Sequence, residues 1–279
     1  MGLLESLEAR VKQEQGGVDI VTLPDPIDHL SASSVKQFLR CPRQWAYVRV
    51  LGIKLPPDGG LVAGKAFHTA AEQTMLRKLE TGVDPTSDEA ASIAADAAQE
   101  EIDAGEVRYD DEFYTSAGSI KDKAARFASR WAMDVAPTIT PAEVEAPFEA
   151  IINGVKVVGR IDLIDKDSVV RDWKTSGKKP AVDELATSPQ TGIYGLVRPN
   201  GGVVYHYVID RKTGGDTMPV AIVGNHLARA QRIAFQTVRE IAVLVNAGAF
   251  PRNTQGWHCS KKWCGFYDRC MSGKDDGSL

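Results

Sequence analysis

The chain has 279 residues, 43% hydrophobic and 25% charged, the make-up of an ordinary globular protein with one large domain or one domain plus a helical insertion. No run approaches the roughly 18 apolar residues that a membrane helix needs. A net charge of −4 excludes the uniformly basic surface of many nucleic-acid binders, but not a local basic groove, because Lys and Arg gather at Lys36–Lys54, Lys174–Lys179 and Lys261–Arg269 while acids gather between Glu72 and Glu112.

From the N-terminus, Met1-Gly2-Leu3-Leu4-Glu5 runs straight into charged residues, so no signal peptide is expected. Gly2 with Ser6 fits the bare myristoylation pattern, without the polybasic patch or nearby cysteine that would supply a second anchor. Leu3–Gln13 predicts a short helix and Pro24-Asp25-Pro26 a turn, so residues 1–30 read as an extension. Ser31-Ala32-Ser33-Ser34 offers cap hydroxyls for a helix over 35–50, bent near Cys41 by Pro42. Pro56-Pro57-Asp58-Gly59-Gly60 predicts a loop, then a helix over 61–80 that carries His68. The alanine-rich, acidic stretch 84–105 predicts a solvated helix, and 116–134 another; together 84–135 read as a helical insertion without an obvious catalytic group.

From Glu143 the period changes to two. Strands are predicted over 144–152 and 155–164 around the hairpin signal Asn153-Gly154, and a third over 169–174 after Asp165-Lys166-Asp167-Ser168. A helix over 189–196, strands over 203–209 and 219–223 and a long helix over 225–247 follow, then a tail holding three cysteines.

Asp162 and Asp172 lie toward the ends of neighbouring strands, and two carboxylates so placed can share a divalent cation. Asp172 and Lys174 are two residues apart, so both point to one face of the sheet, where the lysine can orient or deprotonate a water. Metal-assisted phosphodiester hydrolysis needs hard oxygen ligands, a held water and a positive charge for the developing phosphorane. His68 could add an imidazole ligand, which favours manganese over magnesium, and Glu145 could point toward the same end. An isolated D-x-K triplet is a surface ion pair more often than a site; the hairpin context is what raises it. His29, His206, His226 and His258 lack such company, although His258 adjoins Cys259. Cys41, Cys259, Cys264 and Cys270 fall as one plus three, which suits four thiolates gathered on zinc or an iron–sulfur cluster better than disulfides. Trp257, Trp263, Phe266 and Tyr267, interleaved with Arg40, Arg43, Lys261, Lys262 and Arg269, suit either single-stranded nucleic acid or a packed shell around that cluster.

Gly64-x-x-x-His68, Gly159-x-x-Asp162, Asp172-x-Lys174 and Gln190-x-x-x-Tyr194, with the opening Ser31-Ala32-Ser33-Ser34 and Cys41-Pro42-Arg43, resemble the PD-(D/E)xK nuclease superfamily over about residues 30–270. The resemblance is to its RecB-like branch, with the CRISPR-associated RecB-like and AddB-type iron–sulfur exonucleases. It implies an α/β restriction-endonuclease-like core, a mixed central sheet flanked by helices, as one nuclease domain over 31–279. It implies that His68, Asp162, Asp172 and the Trp173 carbonyl bind Mn²⁺ or Mg²⁺, that Lys174 activates water, and that Gln190 and Tyr194 face the site and contact the DNA backbone or orient the lysine. It further implies that Cys41, Cys259, Cys264 and Cys270 hold a [4Fe–4S] cluster that clips the N-terminal part to the C-terminal part, although four residues separate Cys259 from Cys264 where two are common in that branch. The expected activity is a cytoplasmic, metal-dependent DNA exonuclease acting on ends or single strands in recombination, repair or replication-type processing. It would work as a homo-oligomer or with a recombination-complex partner. The alternative is a non-cleaving DNA-end-binding adaptor of a recombination or CRISPR-like complex.

Overall fold

The computed structural model describes residues 19–110, 112–209 and 216–271. The expected helix over 3–13 and the Gly2 pattern lie outside them.

A β-hairpin forms because Asn153 (φ 48°) and Gly154 (φ 79°) both take left-handed backbone, the pair of conformations a tight two-residue turn requires. It joins β1 (Pro141–Ile152) to β2 (Val155–Asp165), and β3 (Val170–Ser176) returns antiparallel to β2. A crossover then carries the chain over α6 (Val182–Leu185) and α7 (Pro189–Val197) into β4 (Val203–Ile209), parallel to β3; β5 (Asp216–Ile222) closes the order β1-β2-β3-β4-β5. Parallel neighbours need such a crossover, and here it places α7 over the middle of the sheet.

Helices cover both faces. One face packs on α1 (Ala32–Arg40), α7 and α8 (Gly224–Asn246), through Phe38, Ile193, Tyr194, Ala234, Val238 and Ile241 against Val157, Ile161, Val203 and Tyr205. The other packs on α3 (Gly59–Thr81), α4 (Ser87–Asp103) and α5 (Ala117–Asp134), through Phe67, Ala94, Phe127 and Trp131 against Leu163, Trp173 and Val208. The result is a mixed α/β fold of the kind expected for a restriction-endonuclease-like core.

Several expectations are corrected. The helix over 35–50 is two helices, because Cys41 is extended (φ −163°) and serves as C-cap of α1 and N-cap of α2 (Pro42–Arg49); Pro42 has no N–H to continue the first helix. The start of α3 moves up to Gly59, where Asp58 accepts from the Leu61 N–H, so part of the predicted loop is helical. The helix over 84–105 is not a solvated one: Ala90, Ala94, Ala97 and Ala98 form a small-residue face buried against α3 and α5. Its acidic residues hid that face, since alanine adds little to an apolar pattern. Two short helices, α6 and α9 (Tyr267–Met271), were not foreseen.

Candidate active site

The carboxylates meet where the sheet forks. Strands β2 and β3 pair only at Ile164–Val170 and Leu163–Arg171. The next step would be Asp162 opposite Asp172, but there the ladder stops and the Trp173 N–H donates to Asp162 Oδ2 instead, at 2.8 Å. Side chains also change faces at this point. Ile161 packs on the α7 side and Leu163 on the α3 side; across the hairpin, Ala146 and Val144 divide in the same way. Between them, in register, lie Asp162 and Glu145, and Glu145 takes φ 48°, a strained left-handed backbone inside a strand.

The fork lets both helical layers reach one spot. From α3, His68 Nδ1 comes within 3.4 Å of Asp162 Oδ2. From α7, Gln190 Nε2 donates to Asp172 Oδ1 at 2.9 Å and to the Tyr194 hydroxyl oxygen at 2.9 Å, while that hydroxyl donates to Asp172 Oδ1 at 3.1 Å. Lys174 Nζ forms an ion pair with Asp172 Oδ2. His68, Asp162, Asp172, Lys174, Gln190 and Tyr194 are thus brought together. Trp173 adds its amide to this set and sinks its indole into the α3-side core against Trp131.

The position of α7 depends on one close approach. A Cβ on Gly192 would lie 2.1 Å from the Ala230 carbonyl oxygen of α8 and 2.4 Å from the Ala234 Cβ. Glycine lets the two helices close to that distance, and so sets where Gln190 and Tyr194 meet Asp172.

The electrostatics are those of charge packed into little water. Burial and then the Asp172 carboxylate push Asp162 up to about 6, against the pull of His68, Lys174 and the Trp173 N–H. Burial, then Asp162 and Glu72, push Glu145 up to about 7. Burial opposes the Lys174 ammonium, but Asp172 and Asp162 together outweigh it and raise its pKa. His206 behaves otherwise: burial and Arg171 hold it down at about 3, so it is a neutral ring packed on Trp173 beside the Arg171–Asp165 ion pair.

These residues fit a divalent cation. Asp172 Oδ2 is buried and, its ion pair with Lys174 aside, accepts no hydrogen bond. It faces a second carboxylate whose proton affinity is raised by burial and then by their mutual repulsion. Hard oxygens in that condition, with an imidazole nearby, are a donor set for Mg²⁺ or Mn²⁺. As placed, no three His, Cys, Asp or Glu side chains among the described residues stand close enough to share one ion. A cavity of about 580 Å³ opens beside Asp162, lined also by His68, Glu72, Glu101, Glu145 and Lys174, with Asp172 buried behind it. Sequence reading missed Glu72, although it stands one helical turn beyond His68, a spacing that puts both on one side of α3.

The four cysteines lie around one cavity, although as placed no three of them stand close enough to share an ion. Cys41, Cys259, Cys264 and Cys270 line one small cavity with His258, whose Nε2 is buried without a partner. Burial and then the other three thiols raise Cys264. The tail is held to α1 and α2 by Asn253 Nδ2 donating to the Arg40 carbonyl (2.9 Å), the Arg43 N–H donating to the Pro251 carbonyl (3.3 Å) and Tyr47 packing on Phe266.

The sequence model of the PD-(D/E)XK nuclease superfamily matches residues 29–271. The chain belongs to that superfamily. Among solved structures, a crystal structure named "Putative exonuclease" from Eubacterium rectale is similar to the chain, with a TM-score of 0.57 at 13% identity over 83% of this chain and 86% of that one. At that identity the likeness speaks for the fold alone. The crystal structure of SSO0001 is covered to 97% and covers 98% of this chain, at 13% identity and a TM-score of 0.39. No curated protein matches in sequence. No helix among the described residues is long and apolar enough to cross a membrane.

Proposed function

We propose that this member of the PD-(D/E)XK nuclease superfamily is a metal-dependent deoxyribonuclease of the RecB-like branch that digests DNA from ends or along single strands. The observation that carries this reading is the convergence of Asp162, Asp172 and Lys174, with His68, at the fork between β2 and β3. Asp162, Asp172, His68 and the Trp173 carbonyl would hold the cation. When bound, it would draw charge from the phosphate and acidify a water. Without the cation, Asp172 and Asp162 outweigh burial and raise the Lys174 pKa. Its role would be to orient and activate the attacking water and to offset the charge that builds on the phosphate. Gln190 and Tyr194 fix Asp172 by its Oδ1 and leave Oδ2 for the cation and Lys174.

We read the cysteine cavity as the seat of a [4Fe–4S] cluster. Four thiols around one cavity, with an unpartnered His258 nitrogen beside them, support that reading. The cluster would tie the Cys41 junction to a tail more than two hundred residues away, a loop whose closure is costly in entropy. Nearby, Trp257 and Trp263 are 74% and 56% exposed, edge to face at 5.5 Å, with Lys262 over the Trp263 ring. Exposed rings beside an ammonium suit stacking with unpaired bases better than a packed shell does, whereas Phe266 is buried and serves the shell.

The test is digestion of end-labelled single- and double-stranded DNA by anaerobically purified protein with Mn²⁺ or Mg²⁺. Lys174→Ala should lose cleavage while keeping iron, sulfide and visible absorbance. Cleavage by Lys174→Ala at the parental rate would sink the assignment. Parental protein that binds ends and leaves them whole would make the chain an adaptor.

A further inference from the structure

Lys174 and Thr175 stand between two cavities of opposite character. One is the acidic cavity already described. The other, of about 230 Å³, lies toward α1 and the loop after β3, and its lining includes Lys36, Lys174, Lys178, Ser188, Gln190 and Tyr207. Glu184 is the one acid in that lining.

Several of its donors lack partners. Lys36 and Lys178 make no side-chain hydrogen bond and no ion pair with the described residues. Lys36, Lys174 and Lys178 bring three amino groups to a lining with one carboxylate, and burial and then the neighbouring Lys174 ammonium lower the Lys36 pKa. Tyr207 is 8% exposed, yet its hydroxyl makes no hydrogen bond to the described residues. The ring is buried while the hydroxyl is left to face the cavity, where it can donate. Ser188 precedes α7 as its N-cap but makes no side-chain cap bond. Its hydroxyl stays free, and the amide end of α7, favourable to anions, opens beside it.

We propose that this cavity is a second phosphate subsite, which holds a phosphate of the substrate strand next to the one being cut, with Lys36, Lys178 and the Tyr207 hydroxyl as its donors. The exposed Glu184 carboxylate aside, the unpartnered groups in it give a hydrogen bond or carry positive charge, and a phosphate oxygen accepts from all of them. The subsite rests on the nuclease reading for its role, not for its chemistry. The phosphate is either an internal phosphodiester or a terminal monophosphate.

The experiment measures binding of a labelled single-stranded 12-mer, with and without a 5′-phosphate, to full-length protein in EDTA, where nothing is cut. Lys36→Met with Lys178→Met should weaken binding about tenfold and flatten the log Kd against log salt slope by about 0.7 for each phosphate that the variant no longer neutralises. Tyr207→Phe should weaken it about threefold, and Lys36→Arg should restore most of what Lys36→Met loses. In cleavage assays the lysine pair should raise KM with kcat held. Equal losses on both oligonucleotides assign an internal phosphodiester; loss only on the 5′-phosphorylated strand assigns a terminal phosphate. Affinity and salt slope both within twofold of the parent in the double variant would overturn the subsite. Parental cleavage with unchanged binding in the variant sinks the subsite and leaves the nuclease standing. Lysine-dependent binding without any parental cleavage does the reverse.

Discussion

Gln190 and Tyr194, one turn apart on α7, both donate to Asp172 Oδ1, at 2.9 and 3.1 Å, and Gln190 also donates to the tyrosine oxygen. A closed triangle of this kind fixes a carboxylate more tightly than either bond alone. Tyr194→Phe and Gln190→Ala should each lower kcat about 10- to 100-fold, the worth of one charge-assisted hydrogen bond of about 1.5–3 kcal/mol. KM should move little, because the bond removed is to Asp172 and not to DNA. Equal changes in KM and none in kcat would show that these side chains touch substrate instead.

Gly192 is the foundation of that triangle. Gly192→Ala forces a methyl into the Ala230 carbonyl, which must push α7 off α8. The expected cost is about 1–3 kcal/mol in urea unfolding, with a loss of cleavage at temperatures where the variant remains folded. Gly177→Ala, whose Cβ would meet nothing within 4 Å, is the control and should do neither.

Asp162 and Glu145 predict how metal-free stability follows pH. Both have folded values raised above their usual ones, to about 6 and about 7. The folded state therefore binds more protons than the unfolded one between about pH 4 and 7, and stability falls as pH rises through that window. In EDTA the change in melting temperature from pH 5 to pH 8 should be more negative for the parent than for an Asp162→Asn, Glu145→Gln variant, which keeps the opposing contribution of His206. Manganese should raise the parent's melting temperature far more at pH 8, where both groups are ionised, than at pH 5. A parent that loses no more stability than that variant from pH 5 to pH 8 would contradict the crowding of these carboxylates.

Glu145 carries strain as well as charge. Glycine takes φ 48° without the steric cost that glutamate bears there, so Glu145→Gly should raise metal-free stability by about 1 kcal/mol. Cleavage should fall in the same variant, since a carboxylate beside Asp162 is lost. Calorimetry and digestion on one preparation check both; a destabilised variant would show that the strain is compensated by contacts of the Glu145 side chain.

Much of the site was legible because its chemistry is local in the chain. The Asn153-Gly154 turn fixes the hairpin, alternation puts Asp172 and Lys174 on one face, and helical spacing puts Gln190 next to Tyr194; each follows from the periods of strand and helix alone. The buried alanine face of α4 was not legible, since its burial depends on α3 and α5 lying against it. Nor was the joining of Lys36 on α1 to Lys178 after β3, because no period relates residues on separate elements.

The order of amino acids dictates which groups are present and which neighbours along the chain share a face, because a helix or strand imposes a fixed repeat on its own side chains. It took the packing of the whole chain to open the sheet at Asp162 and Asp172, so that α3 and α7 reach the same carboxylates from opposite sides. That opening comes from a ladder that ends after two pairs and from the exchange of faces at Glu145, and both depend on packing between elements distant in the chain.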